Sequence, residues 1–133
     1  MVIDTSVVVA ILLGEPELTA FTNFITHAES VRLSAASYVE SAMVLEQRAL
    51  SIPKRILDKF VKEYGVQIEP VTEEHAKLAA DAFRKYGKGR HKAALNYGDC
   101  FTYALAKATR EPLLFKGNDF SKTDLPTAVK RPQ

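Results

Sequence analysis

The 133-residue chain predicts a single α/β domain with a mostly parallel central sheet flanked by helices. Three observations predict it. Two apolar β-formers, Val2 and Ile3, run directly into Asp4; a strand apolar on both faces is a central strand of a covered parallel sheet. Turn signals at Gly14, Ser51-Ile-Pro53, Gly65 and Gly87 separate stretches of helical spacing from short β-rich runs. The resulting order is strand, two helices, strand, two helices, strand, two helices, strand, with no repeat and no linker. One domain therefore spans 1–133.

Bulk composition narrows the function classes. Apolar residues make up 47% of the chain, which excludes disorder. No apolar run approaches the roughly 20 residues that span a bilayer, and the apolar run of residues 7–13 lacks the basic start and cleavage pattern of a signal peptide. The expectation is a cytoplasmic protein that does not enter membranes. The single cysteine, Cys100, excludes an intramolecular disulfide and a zinc-type ligand set, and reads as a small core residue. The net charge of +2 is too small to argue for nucleic acid. Its distribution says more: Arg84, Lys85, Lys88, Arg90 and Lys92, with His91 among them and no acid, form a basic stripe. Such a stripe is either a solvated face or a phosphate contact.

The elements follow in order. Residues 5–13 predict a short helix capped by Thr5 or Ser6 and ended by Gly14. Glu15-Pro16-Glu17 predicts a helix start, with proline at the first helical position and acids in the first turn; Leu18, Phe21, Phe24, Ile25 and Ala28 carry it to about residue 28. Residues 31–34 predict a second strand. Residues 35–50 predict a third helix started by Ser34, and here Glu40 stands out. Ala36, Met43, Val44 and Leu50 all lie within roughly 80° of it on the helical wheel. An acid inside an apolar arc either finds a partner at the core edge or points into a cleft that needs its charge. Residues 54–64 predict a fourth helix, 66–71 a third strand, and Thr72 caps a fifth helix running to Gly87. After the basic loop of residues 88–96, a sixth helix starts at Tyr97 and runs to about Arg110. Residues 112–116 predict the fourth strand, 117–119 a turn, 120–126 an irregular close, and 127–133 an edge strand or a frayed end.

Four acids now stand in related places. Asp4 and Asp119 follow the first and fourth strands, on the carboxyl edge where open α/β sheets bind ligands. Asp99 lies in the first turn of the sixth helix, and Glu40 on the third. Each has a plainer alternative: Asp4 as a turn residue or helix cap, Asp99 as a complement to the helix dipole, Asn118 and Asp119 as turn formers. Jointly they suggest one cleft. Two bare carboxylates about 4 Å apart repel by roughly 4 kcal/mol at an effective dielectric near 20, so four require cations. An all-oxygen ligand set suits Mg²⁺ or Mn²⁺, which polarise phosphoryl oxygens and activate water. Acids for a metal beside basic residues for phosphates describe a nuclease.

The opening Met-Val-Ile-Asp-Thr-Ser, Glu40, Asn-Tyr-Gly-Asp-Cys over residues 96–100 and Phe-Lys-Gly-Asn-Asp-Phe over residues 115–120 together resemble the PIN-domain ribonucleases. More narrowly, the chain is similar to the VapC toxins of type II toxin–antitoxin (VapBC) systems, and the likeness covers essentially its whole length. The resemblance implies a three-layer α/β/α PIN-like domain and a Mg²⁺-dependent (or Mn²⁺-dependent) endoribonuclease that cleaves RNA to inhibit translation and growth. It implies catalytic roles for Asp4, Glu40, Asp99 and Asp119. Asp4 and Asp99 would bind the metal directly, and Glu40 would orient or deprotonate the attacking water. Ser6, Thr5 and Asn118 would support the site. The partners implied are an RNA substrate, a VapB-like antitoxin that neutralises the toxin, and a second copy in a homodimer. From the residues themselves, Lys88, Arg90, His91 and Lys92 are the expected RNA contacts.

Two other readings compete. A non-catalytic binding module could use the same acidic cleft to grip a partner's Arg or Lys. A phospho-accepting regulator needs paired acids after the first strand and an acceptor Asp after the middle one, and this chain has neither.

Overall fold

The computed structural model describes residues 1–48 and 51–128. It contains β1 (Val2–Ile3), α1 (Thr5–Leu12), α2 (Leu18–His27), β2 (Val31–Ser34), α3 (Ala35–Gln47), α4 (Lys54–Glu63), β3 (Val66–Glu69), α5 (Glu73–Tyr86), α6 (Tyr97–Thr109) and β4 (Leu113–Leu114), followed by a 3₁₀ turn, Phe120–Lys122. The four strands form one sheet in the order β3-β2-β1-β4. Every neighbouring pair is parallel, with Val2 opposite Arg32 on one side and Leu113 on the other. All strand carboxyl ends therefore open on the same edge, and β1 lies inside the sheet.

Burial divides along the sheet. Ile3, Leu33 and Leu114 join the core built on α1, α2, α3 and α4, through residues such as Phe21, Ile25, Leu45 and Phe60. Val2 and Leu113 join the second core, built on α5 and α6 through Ala82, Leu105 and Tyr103. Successive strand residues point to opposite faces, so the two residues of β1 serve both cores. The result is a three-layer α/β/α domain. Among the described residues, no helix is long and apolar enough to cross a membrane.

Several boundaries differ from the sequence expectation. Asp4, not Thr5 or Ser6, is the N-cap of α1: its backbone is extended and its side chain accepts the Ser6 amide. The helix expected from Glu15-Pro16-Glu17 begins only at Leu18, because the chain turns out of α1 at residues 13–14 and turns again at residues 16–17 before the helix starts. The caps at Ser34 and Thr72 are where the sequence put them. The third helix ends at Gln47; positions 49 and 50 of that expectation lie outside the described residues. β3 is an edge strand, with Gln67 and Ile68 exposed. Thr127 makes a single parallel bridge to Leu113, a one-residue edge beyond β4; residues 129–133 lie outside the described residues. The irregular close is pinned by Asp124, which accepts from the Tyr103 hydroxyl at 2.7 Å and from Lys107 at 2.6 Å.

Candidate active site

At the carboxyl edge of the sheet, beside the end of β1, a cleft of about 390 Å³ is lined by Asp4, Thr5, Ser6, Glu40, Asn96 and Asp99, with Arg48 and Lys116 among its other residues. Asp4 enters it because β1 stops there. The residue is only 5% exposed, and an unpartnered carboxylate at that depth is costly. Both its oxygens are engaged: Thr102 Oγ1 donates to Oδ1 at 2.7 Å and the Ser6 amide donates to Oδ2 at 3.0 Å. Asp4 is thus a helix cap and a lining residue of the cleft at once; the two sequence alternatives coincide in one side chain.

Asp99 is held by a capping box. The Asn96 side chain accepts the Asp99 amide at 2.9 Å, and Asp99 Oδ2 accepts the Asn96 amide at 3.0 Å. Burial pushes the Asp99 carboxyl up to about 7; the Asn96 amide opposes this, and the nearby carboxylates of Asp4, Glu40 and Asp119 add to the rise. The four acids therefore share one electrostatic neighbourhood. Asp119 acts on it from outside, being exposed at the start of the 3₁₀ turn and not on the cleft wall.

Glu40 reaches the cleft on a face of α3 that the helical wheel misread. The buried side of α3 is Ser37, Ser41 and Leu45, whereas Met43, expected on the inner arc, is 56% exposed. Glu40, Val44 and Arg48 follow one another at four-residue spacing along the cleft wall. The Glu40 carboxylate rests against Gly98, where an added Cβ would fall inside it. Gly98→Ala should accordingly leave stability unchanged or raise it by up to about 1 kcal/mol, because alanine is the better helix former. It should also displace Glu40 and lower any activity that depends on it by roughly 10-fold, a cost on the order of 1.4 kcal/mol. Thermal melts and activity of the same preparation read the two effects separately.

The remaining sequence candidates are dispersed. Ser6 lines the cleft, and its Oγ accepts the Lys116 amide at 3.0 Å, tying the loop after β4 to α1. Thr5 is buried and donates to the Ser37 carbonyl at 3.3 Å. Asn118 is exposed, and its carbonyl accepts from the Ser121 hydroxyl. Lys88, Arg90, His91 and Lys92 sit on the loop from α5 to α6, none of them on the cleft wall, although that loop ends at Asn96, which is. His91 belongs to the loop's own architecture: its Nδ1 accepts the Ala93 amide and its ring meets Tyr86 edge-on at 5.0 Å. Burial raises the Cys100 thiol to about 11, as suits a core residue and not a nucleophile.

Sequence reasoning missed the cleft's two cations. Lys116 is paired to Glu15, a further lining residue of the cleft, at 2.8 Å and to Glu17 at 3.3 Å, so its charge is already matched by acids other than the four of the cluster. It also missed Thr102, whose signal was available: it lies three residues after Asp99 and so on the same side of its helix.

The donor chemistry can be set against a divalent ion. Among the described residues, no three acid, His or Cys side chains are gathered closely enough to form a complete protein ligand set. Mg²⁺ does not require one: it binds through one or two carboxylates and keeps several waters. Oxygen-only donors, two of them held by backbone amides, and an acid whose charge its neighbours oppose fit such an ion. Asp4 and Asp99 are the side chains that could hold it.

The sequence profile of the PIN domain matches residues 1–125. The chain belongs to the PIN domain family. This PIN domain is 45% identical over 132 residues to ribonuclease VapC28 of Mycobacterium tuberculosis, covering 98% of this chain and 99% of that protein. It is 48% identical over 130 residues to ribonuclease VapC30 of the same species, covering 97% and 98%. Among solved structures it resembles M. tuberculosis VapC20, described as a Sarcin-Ricin loop cleaving toxin, with a TM-score of 0.76 over 93% of this chain and 95% of the other at 15% identity. It also resembles a toxin–antitoxin complex from Klebsiella pneumoniae, with a TM-score of 0.69 over 92% of each chain at 14% identity. The PIN domain's α/β/α layering and parallel sheet are thus shared with structures whose sequences have diverged widely.

Proposed function

We propose that this PIN domain is a VapC-type toxin, a Mg²⁺-dependent or Mn²⁺-dependent endoribonuclease neutralised by a VapB-like antitoxin. The observation that carries the reading is the cleft itself: Asp4, Glu40 and Asp99 line it together, and Asp99 is held near neutrality by its burial and acidic neighbours. The near-full-length relatives named as VapC ribonucleases support it. A bound divalent ion would polarise the scissile phosphate and lower the pKa of an attacking water. Asp4 and Asp99 would hold the ion. Glu40, on the facing helix, would orient that water and take its proton, while Asp119 would serve the metal site from beyond the cleft wall.

EDTA should abolish RNA cleavage by the purified protein, and Mg²⁺ or Mn²⁺ should restore it. Cleavage that persists in EDTA would sink the metal assignment, and binding without cleavage in either condition would favour the non-catalytic module. Run at increasing salt, the same preparation tests the basic loop. Neutralising Lys88, Arg90 and Lys92 should weaken RNA binding and flatten its salt dependence by about 0.7 log units per lost phosphate contact; an unchanged slope makes the loop a solvated face.

For the antitoxin, Val39 and Met43 are the natural apolar contacts. They are 54% and 56% exposed on α3, flanking Glu40 in sequence. An antitoxin lying along that helix could direct a basic side chain to the acids. Val39→Glu with Met43→Lys should leave cleavage intact but weaken inhibition by the cognate antitoxin at least about 10-fold, the cost of burying a charge in an apolar contact; undiminished inhibition would place the antitoxin elsewhere. A second copy would suit the apolar groove between α5 and α6, where Tyr97 is 80% exposed beside Phe83 and Phe101. Sedimentation velocity reads whether the homodimer forms.

A further inference from the structure

From Thr5 on the cleft wall a group of buried hydroxyls runs back into the core, and to Ser37, Ser41 and Thr102 the cleavage chemistry assigns no part. Thr5, Ser37, Ser41 and Thr102 are all buried, and each finds a partner. Thr102 Oγ1 donates to Asp4 Oδ1 at 2.7 Å. A hydroxyl has one hydrogen, so the 3.1 Å contact between Ser37 Oγ and Thr102 Oγ1 is donated by Ser37. The Ser37 carbonyl in turn accepts from Thr5 at 3.3 Å and Ser41 at 2.7 Å. The chain of donation thus has one direction, from Ser37 through Thr102 to Asp4.

The placement of these residues gives the chain its meaning. Ser37 lies three residues before Glu40 on α3, and Thr102 three residues after Asp99 on α6. At that spacing each shares a helix side with its acid. The hydroxyls therefore join the helix bearing Glu40 and the helix bearing Asp99 to the strand end bearing Asp4. Apolar residues would fill this space with no polar group to satisfy. Instead two of the three buried positions of α3 are serines, and Thr102 interrupts the buried apolar surface of α6.

We propose that Ser37 and Thr102 are positioning residues, a buried hydroxyl relay that fixes the orientation of the Asp4 carboxylate for a divalent cation. The assignment rests on the metal-dependent reading above and extends it to two side chains that touch neither RNA nor ion. Thr102→Val keeps the shape of the side chain and removes the hydroxyl, leaving Asp4 Oδ1 without its donor. Ser37→Ala leaves the Thr102–Asp4 bond and removes only the donor behind it.

The test is Mn²⁺ binding to the full chain, read by electron paramagnetic resonance on variants whose circular dichroism and cooperative melting match the unsubstituted protein. Thr102→Val should weaken Mn²⁺ binding by about 10-fold to 100-fold, the usual effect of losing an outer partner of a metal ligand. Thr102→Ser should restore it to within roughly 3-fold, and Ser37→Ala should fall between the two. Wild-type affinity in folded Thr102→Val overturns the relay, as does Thr102→Ser binding as weakly as Thr102→Val, which would assign the effect to the methyl group. Should Thr102→Val fail to fold, wild-type affinity in Ser37→Ala overturns Ser37's part, and loss in Ser37→Ala with retention in Thr102→Ser supports the relay. Absence of Mn²⁺ binding by the unsubstituted chain would remove the metal reading and the relay together, whereas binding unaffected by these variants removes the relay alone.

Discussion

Asp99→Asn is expected to reduce RNA cleavage by on the order of 1,000-fold or more, about 4 kcal/mol of transition-state stabilisation, without unfolding the protein. Asparagine still offers an oxygen to the Asn96 amide, so the capping box that starts α6 survives. It removes a carboxyl that its surroundings keep from ionising easily, so above neutral pH the variant should melt at or above the temperature of the unsubstituted protein. Asp4→Asn should be equally inactive but less stable. Its two oxygens accept from Thr102 and Ser6, and an amide replaces one acceptor with a donor. The Ser6 amide can only donate and so keeps the remaining oxygen, and the Thr102 hydroxyl must give up its own donation to accept from the new amide, a cost of about 1–3 kcal/mol. Purified variants assayed for cleavage, growth arrest on expression, and melting temperature separate these outcomes. Full cleavage by either one would remove it from the set of metal ligands.

The second large effect is a dependence of stability on pH that reverses when metal is added. In the folded protein the Asp99 carboxyl holds its proton up to about 7, whereas its ordinary value is 3.8. Between those limits the folded state binds more protons than the unfolded state, so stability falls as pH rises. This contribution is fully present below about pH 4 and gone above about pH 7. A divalent ion selects the ionised carboxylate and displaces the proton. Mg²⁺ should therefore raise the melting temperature more at pH 8 than at pH 5, and binding near pH 6 should release protons. Melting curves in EDTA and in Mg²⁺ across this range provide the check. Asp99→Asn should remove both the slope in EDTA and most of the Mg²⁺ effect; a slope of opposite sign in EDTA would mean that burial and the neighbouring acids do not hold the Asp99 proton.

The layered fold was legible in the sequence because it depends on local signals. Val2-Ile3, the glycines at 14, 65 and 87, and the caps Ser34 and Thr72 carry the alternation of strands and helices with little help from distant residues. Asp4 and Glu40 were legible as candidates because charge at the end of an apolar strand or within an apolar helix is costly without a reason, whereas Asp99, in a first turn where acids are ordinary, stood out only through the motif over residues 96–100 and its place beside the other acids. What could not be read depends on packing between elements. Periodicity placed Met43 inward and gave no sign that α3 would bury Ser37 and Ser41, since the wheel ranks faces by hydropathy and this buried face is polar. Lys116 and Arg48 look like surface cations until the loop after β4 and the end of α3 are set beside Asp4. Thr102 is an unremarkable helix residue until its hydroxyl meets a carboxylate ninety-eight positions away.

The parallel register of β1 has a kinetic consequence. Val2 pairs with Arg32 on one side and Leu113 on the other, so closing the central strand requires both a short and a very long loop of chain. Non-local pairings of this kind form late, because their closure entropy precedes the contacts that repay it. Asp4 sits at the end of that strand and Asp99 on the helix that leads to β4. A chain that has collapsed but not yet inserted β1 between β2 and β4 has its acids scattered. RNA cleavage should thus require β1 to be paired on both sides, making cleavage itself a reporter of the completed sheet.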